Sequence, residues 1–348
     1  MSERVLTTRE LNRAVLARQH LLEPSPNSIA QTLAAVGGLQ AQYAPSMYVG
    51  LWSRMRGVER AALTRALEQR AVIQATLMRV TIHLVAKRDF WFIALATRQA
   101  RRELWLRSMR KGATAAELEQ LAARVREHLG QHGQISRKEL DALVGKPHAI
   151  GVGLWVDLVR APTAGTWERR RADLFALAEE WVGQPPQMSA EDAAARLVRS
   201  YLAGFGPASN ADIVSYTGLP RRELGPACER LKLRTFRSEG GDELLDLPRA
   251  PLPDPQQPVG VRFLPTWDAT LLVHARRARI LPEEHRPKIF HVRNPHSDAV
   301  FLVDGAVAGT WKYRDRDKAI ELHPFEKLDA ATQRELREHA DRLAAFHA

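Results

Sequence analysis

The chain has a single cysteine, Cys228, among 348 residues. One thiol cannot close an intrachain disulfide or build a cysteine-based zinc site. No apolar run approaches the ~18–20 residues of a membrane-spanning helix, because Arg, Lys or Pro interrupts the most apolar stretches. Met1-Ser2-Glu3-Arg4 leads into no signal-peptide core. These absences predict a cytoplasmic protein without membrane contact.

Cofactor signatures are missing too. Gly151-Val152-Gly153 lacks the preceding strand and the third glycine of a dinucleotide fingerprint. There is no Gly-rich phosphate loop ending in Lys-Ser/Thr, no His-Glu-x-x-His and no serine nucleophile elbow. His128 and His132 are four apart, but Gly130 is expected to break the helix between them, and zinc would need further ligands. Glu283-Glu284-His285, with His291 and His296, is irregularly spaced among Pro282, Pro287 and Pro295 and reads as a surface loop. The expectation is chemistry with neither metal nor cofactor.

Acidic residues are the minority charge: 40 against 51 basic ones, a net charge of +11. Such a chain is drawn to polyanions, and Arg, its main cation, suits phosphate and guanine. A genome rich in G and C also favours Ala and Arg, so charge alone does not decide. The 45% hydrophobic content is enough for packed cores.

A looser unit of short helices followed by a β-hairpin recurs along the chain. In the second copy, Glu117 to Leu129 is an amphipathic helix, a glycine-containing turn follows, and Ser136 with Glu139 caps the next helix. In the third, Asp192 to Ala203 is helical, Ser209 and Asp212 cap a second helix, and Arg221 to Leu231 lies where a recognition helix would. Strands at 233–236 and 243–247 flank the turn Glu239-Gly240-Gly241-Asp242, a wing. The first copy is looser, with capped helices after Thr7 and Ser28 and strands at 71–76 and 80–85. Breaks at 111–114, 183–186 and 250–255 divide the chain into units at 1–111, 112–186 and 187–348. The last unit carries a hairpin around Asp304-Gly305 and a final helix. The predicted fold is α+β, mostly α: three tandem winged-helix units forming a concave DNA-binding surface, with extra C-terminal β structure. Repetition within one chain predicts a monomer.

Several phrases in order carry a resemblance: Gly38-Leu39-Gln40-Ala41-Gln42, Leu51-Trp52-Ser53-Arg54, Met78 to Val85, Phe205-Gly206-Pro207-Ala208, Phe263-Leu264-Pro265 and Leu302 to Trp311. Together they resemble the bacterial AlkZ/AlkX-type DNA glycosylases over most of the chain, and Gln42 in place of Asp resembles the AlkZ branch. The resemblance implies a monofunctional glycosylase acting on double-stranded DNA that carries alkylated guanine. The implied lesions are N7-alkylguanines with bulky natural-product adducts, or interstrand crosslinks, and the implied role is self-resistance. Gln40 and Gln42 would be catalytic. The rival reading is a non-catalytic winged-helix transcriptional regulator, which predicts a symmetric operator and a dimer.

The implied chemistry is coherent. N7 alkylation makes guanine cationic, so it leaves as a neutral base while the sugar gains oxocarbenium character. Two amides can then suffice by holding a water near C1′. In a strand, residues two apart share a face; in a helix they diverge by about 200°. Gly37-Gly38 before the motif and Pro45 after it make a turn-like segment plausible. The bland alternative is that both amides bond backbone groups at a helix end.

Other candidates are weaker. His83, in an apolar strand, is either a bonded core residue or a near-lesion group, and Arg79 beside it either bonds phosphate or is an exposed strand residue. Arg169 and Arg170, and Arg276 and Arg277, are basic clusters suited to DNA or to a solvated face. Arg98, Arg101, Arg102 and Arg107 line a predicted helix in the same way. Asp304-Gly305 is either a groove-probing hairpin tip or an ordinary sheet edge.

Overall fold

The computed structural model describes residues 4–108, 114–272, 274, 278–290 and 297–348. The chain opens with β1 (Val5–Leu6) and α1 (Thr8–Arg18). Next come α2 (Ile29–Val36), β2 (Leu39–Gln40), α3 (Ala44–Trp52), α4 (Arg60–Glu68), β3 (Val72–Thr76) and β4 (Ile82–Ala86). β4 lies between β2 and β3, so this stretch is a helix, a short strand, two helices and a hairpin. The long α5 (Phe90–Ser108) follows.

The order then repeats. α6 (Ala115–His132), β5 (Ile135–Ser136), α7 (Arg137–Val144), α8 (Ala149–Val152), β6 (Leu158–Arg160) and β7 (Leu174–Leu177) place β7 between β5 and β6. A bridge from Ala75 to Val159 joins the two hairpins into one sheet, ordered β2-β4-β3-β6-β7-β5. After α9 (Ala178–Val182) come α10 (Ala190–Phe205), α11 (Asn210–Thr217), α12 (Arg221–Glu229), β8 (Arg234–Ser238) and β9 (Glu243–Asp246). Here the short first strand shrinks to one bridge, Ala208 to Leu245. Although β1 begins the chain, it extends this third hairpin by pairing in parallel with β8.

The remainder is an antiparallel sheet of β10 (Arg262–Leu264), β11 (Val300–Val303), β12 (Ala306–Arg314) and β13 (Ala319–Pro324), with α13 (Arg286–Ile289) before β11 and α14 (Ala330–His347) closing the chain. The fold is thus α+β and mostly helical, with extra C-terminal β structure.

Local chemistry explains most element starts. Thr7, Ser28, Thr114, Ser136 and Ser209 each accept from the backbone three residues on, and the residue there bonds back to the cap. Two local readings fail. Gly130 does not break its helix: α6 runs through it to His132 and ends at Gly133, an interior glycine costing only about 1 kcal/mol. The region of Glu283-Glu284-His285 is a turn of 3-10 helix leading into α13, with His285 buried, rather than a surface loop. His291 and His296 lie outside the described residues.

Buried ion pairs tie distant segments together. Arg18 on α1 grips Asp246 on β9 through two bonds of 2.7 and 3.0 Å. Arg54, after α3, grips Asp268, after β10, at 2.9 Å twice. Gln19, fully buried, donates to the carbonyls of Val36 and Gly204, which binds α1 to the ends of α2 and α10. These contacts set where β2 sits.

Candidate active site at the edge of β2

The Gln-x-Gln segment is held between two chain-stopping devices. α2 ends on Gly37 and Gly38, both left-handed (φ +79° and +83°). A Cβ on Gly38 would lie 2.9 Å from Val85 Cγ1 and 3.0 Å from the Leu84 carbonyl, so only glycine lets the chain press this closely onto β4. Downstream, Pro45 sits in the first turn of α3, where its missing N–H costs nothing. Between them the chain is a two-residue strand and a bend, as the flanking Gly and Pro predict.

The register is definite. Leu39 faces Leu84 and Gln40 faces His83. Ala41 N–H donates to the Ile82 carbonyl at 2.8 Å, and the Gln42 Oε1 accepts from the Ile82 N–H at 3.2 Å. Ala41 is 1% exposed and packs into the core with Met47 and Leu84. Gln40 is half-buried and Gln42 exposed. Burial therefore alternates along the motif, with a small apolar residue buried between a half-buried and an exposed amide. Among the described residues, no side-chain hydrogen bond engages the Gln40 amide. Gln42 does use its oxygen on backbone, as the bland alternative supposes, which leaves its NH2 as a donor.

His83, opposite Gln40, is 1% exposed. Its Nδ1 contacts the Thr81 carbonyl at 3.0 Å and its Nε2 contacts Arg79 Nη2 at 3.5 Å. The carbonyl requires a donor, so the proton sits on Nδ1, and Nε2 accepts from the guanidinium. Burial first, then the Arg79 charge, pushes the imidazole down to about 3, so it is neutral at physiological pH. Arg79 and Val80 both have positive φ (+54° and +60°), a costly conformation for a β-branched residue. This turn folds Arg79 back over the Tyr216 ring at 5.2 Å. Burial lowers Arg79 to about 10, still protonated. Tyr216 donates to the Gly37 carbonyl at 3.3 Å, touching the lead-in to the motif as well.

The register thus brings together Gln40, Gln42, His83 and Arg79. Arg169 and Arg170 are exposed between β6 and β7, and Arg170 donates to the Tyr43 hydroxyl at 2.9 Å. Arg276 and Arg277 lie outside the described residues. Asp304 pairs with Arg9 at 3.0 Å and Arg13 at 2.5 Å, and Asn12 donates to the Gly305 carbonyl at 2.9 Å. These bonds tie the tip to α1, a contact nearly 300 residues long-range that no local pattern reveals.

Sequence reasoning missed Tyr43. Next to Gln42, it lines a cleft of ≈ 520 Å³ with Trp167, Arg170, Trp311, Tyr313 and His347. It also missed the burial of Arg101 and Arg160. Arg101 was readable: Phe90, Ala94, Thr97 and Arg101 fall on one helical stripe, and the first three are apolar or small.

Tandem hairpin-bearing helical units, a basic chain and a paired-amide motif at a sheet edge suit a protein that acts on DNA. Residues 33–346 match the model of the family described as DNA glycosylase AlkZ-like, so the chain belongs to the AlkZ-like DNA glycosylase family. It is an enzyme with a DNA substrate, which decides against the transcriptional regulator. Its structure is similar to that of the Streptomyces sahachiroi DNA glycosylase AlkZ, at a TM-score of 0.81 and 18% identity over 98% of this chain and 97% of that one; this likeness bears on the fold. No curated protein matches the sequence. No helix among the described residues is long and apolar enough to cross a membrane.

Proposed function

We propose that the protein is a monofunctional glycosylase that hydrolyses the N-glycosidic bond of N7-alkylguanine in duplex DNA, using a water held by Gln40 and Gln42. The observation that carries this reading is the motif's setting. Gln40 has an uncommitted amide opposite a neutral imidazole, Gln42 has an NH2 left over, and Ala41 anchors the segment in the core. Neither amide is a strong acid or base, so the chemistry depends on a leaving base that is already cationic. Positioning the water then supplies much of the remaining barrier reduction.

His83 and Arg79 are near-lesion groups in this reading. His83 orients Arg79, whose charge lies close to the phosphates on either side of the reacting sugar. Arg169 and Arg170 face the backbone from the β6–β7 loop. The aromatic cleft beside Tyr43 supports a preference for bulky, planar adducts or crosslinks, since such groups stack on aromatic faces. Self-resistance to a DNA-alkylating metabolite fits that preference. The protein works as a monomer in the cytoplasm, without cofactor.

The test is release of base from duplexes bearing one defined N7-guanine adduct: methyl, bulky aromatic or crosslinked. Release from the bulky or crosslinked duplex, lost in Gln40→Ala and Gln42→Ala variants that still bind DNA, is the expected result. Absence of release by the wild-type protein from all three sinks the reading.

A further inference from the structure

Among the described residues, the buried guanidiniums of Arg18, Arg54 and Arg13 each meet a carboxylate, on Asp246, Asp268 and Asp304. Three arginines at the end of the β3–β4 hairpin do not. Arg101 is 4% exposed; it donates to the carbonyls of Thr76 and Ala94, and its Nε has no partner. Arg160 donates to the Thr76 hydroxyl at 3.0 Å and lies over Phe175, again with Nε unpartnered. Arg79 contacts neutral His83 and the face of Tyr216, with Nη1 unpartnered. Asp157, the carboxylate whose charge acts on Arg101, is bonded to Arg98 at 2.7 Å.

Uncompensated buried charge is expensive, and folded proteins pair it or bind something to it. Burial lowers all three groups to about 10, so all remain cationic near neutral pH. Two of them, Arg79 and Arg101, line a recess of ≈ 280 Å³ between α5 and the α11–α12 turn, with Thr97, Ala100, Gly218 and Arg222. The carboxylate on its rim, Glu103, already accepts from Arg222 at 3.3 Å and Gln99 at 3.1 Å. The recess is therefore lined by two guanidiniums that no carboxylate matches, beside a Gly-Leu-Pro turn; their unpartnered nitrogens are covered and reach a ligand only when the side chains turn towards the recess.

We propose that this recess cradles one backbone phosphodiester of the DNA substrate, with Arg79 and Arg101 donating to its non-bridging oxygens. A guanidinium fork matches two phosphate oxygens, and once the two side chains turn towards the recess the oxygens supply the missing acceptors. Arg79 touches His83, and His83 faces Gln40 across the β2–β4 ladder, so the bound phosphate registers the sugar against the motif. The proposal rests on this face being the DNA-binding face, and not on the chemistry assigned to the two glutamines.

The test uses the whole protein and undamaged duplex DNA, with affinity measured across a salt series and thermal midpoint measured without DNA. Ala100→Glu places a carboxylate in the recess from a half-buried position on α5. The expected result is a higher midpoint, weaker DNA binding and a log K against log[salt] slope shallower by about 0.9, the loss of one phosphate contact. Gln120→Glu, on the exposed face of α6 and outside the recess, is the charge control. Arg79→Met should lose the same slope while gaining stability. A slope for Ala100→Glu equal to that of Gln120→Glu overturns the proposal, as does an Arg79→Met variant that is destabilised with its slope intact. If inorganic phosphate raises the wild-type midpoint and Ala100→Glu abolishes that rise with the DNA slope unchanged, the recess takes free anions and the proposal also fails. Base excision is not read at any point, so an inactive protein leaves this test standing.

Discussion

The two motif glutamines should part company in stability while agreeing in chemistry. Gln42 completes the β2–β4 ladder by accepting the Ile82 N–H at 3.2 Å. Replacing it with alanine leaves that donor to water at an exposed edge, a loss of about 0.5–1.5 kcal/mol. With an unfolding entropy near 2.1 cal/mol/K per residue, a chain of 348 residues loses about 1–2 °C for that change. Gln40 has no such bond, so Gln40→Ala should leave the midpoint within about half a degree, side-chain entropy regained offsetting the contact area lost.

The rate of base release should fall about 10²–10³-fold in both variants, the usual effect of removing one positioned polar group from a transition state. The assay is single-turnover release from an adducted duplex at saturating protein, alongside calorimetry of each variant. A Gln42→Ala variant that loses its midpoint but keeps its rate would show the residue to be only a ladder cap. Equal stability loss at both positions would refute the register argument itself.

Three further predictions concern the scaffold. His83 has a folded pKa near 3 against about 6.5 when unfolded, so the unfolded chain binds the extra proton; stability is full above pH ~6.5 and falls towards pH 3 by up to ~1.4 kcal/mol per unit. His83→Gln should flatten that part of the pH profile, and a His83 resonance titrating near 6.5 would contradict the burial argument. Asp268 feels burial pulling its carboxyl up, but Arg54 and Thr270 more than offset this and hold it below the usual range; its contribution is present above pH ~4 and lost as pH falls through the folded value. Asp268→Asn should strand Arg54 at a cost of about 3–5 kcal/mol, or about 4–7 °C, and a smaller drop in calorimetry would mean water reaches the pair. Gly305→Ala would force a side chain at φ +83° to within 2.6 Å of Leu16 and 2.7 Å of Asn12, so the midpoint should fall by more than 1 °C; an unchanged midpoint would mean the tip does not anchor α1.

What was legible in the sequence is what local chemistry determines. Ser136 with Glu139, and Ser209 with Asp212, mark helix starts because cap and partner are three residues apart. Asp304-Gly305 marks a tight turn because both residues tolerate positive φ, and both adopt it. The use made of that turn was hidden, since Arg9 and Arg13 are far off in the chain and nothing in a hairpin's sequence names its partner. The pairing of Gln40 with His83 was hidden for the same reason: a two-residue strand has no periodicity from which to read a register. The burial of Arg101 could be read from its helical stripe, whereas Arg160, on a three-residue strand, offers no comparable pattern. Gly130 misled because a glycine tolerated inside a long helix looks like one that ends it.

The position of His83 sharpens the argument about chemistry. An imidazole near a reacting sugar is ordinarily the first choice for a general base, because its usual pKa is close to neutrality. Here Nε2, the lone-pair nitrogen, is turned towards the Arg79 guanidinium, and burial makes the protonated form unfavourable by several pH units. Such a nitrogen is a poor place to leave a proton taken from water. What His83 can do is hold Arg79 in place from a rigid strand. The motif edge therefore offers two amides and a cation, with its histidine removed from acid–base duty. That set stabilises position and phosphate charge and supplies little proton transfer. On the proposed reading such a set suits a base that departs without being protonated, which is the property that N7 alkylation confers.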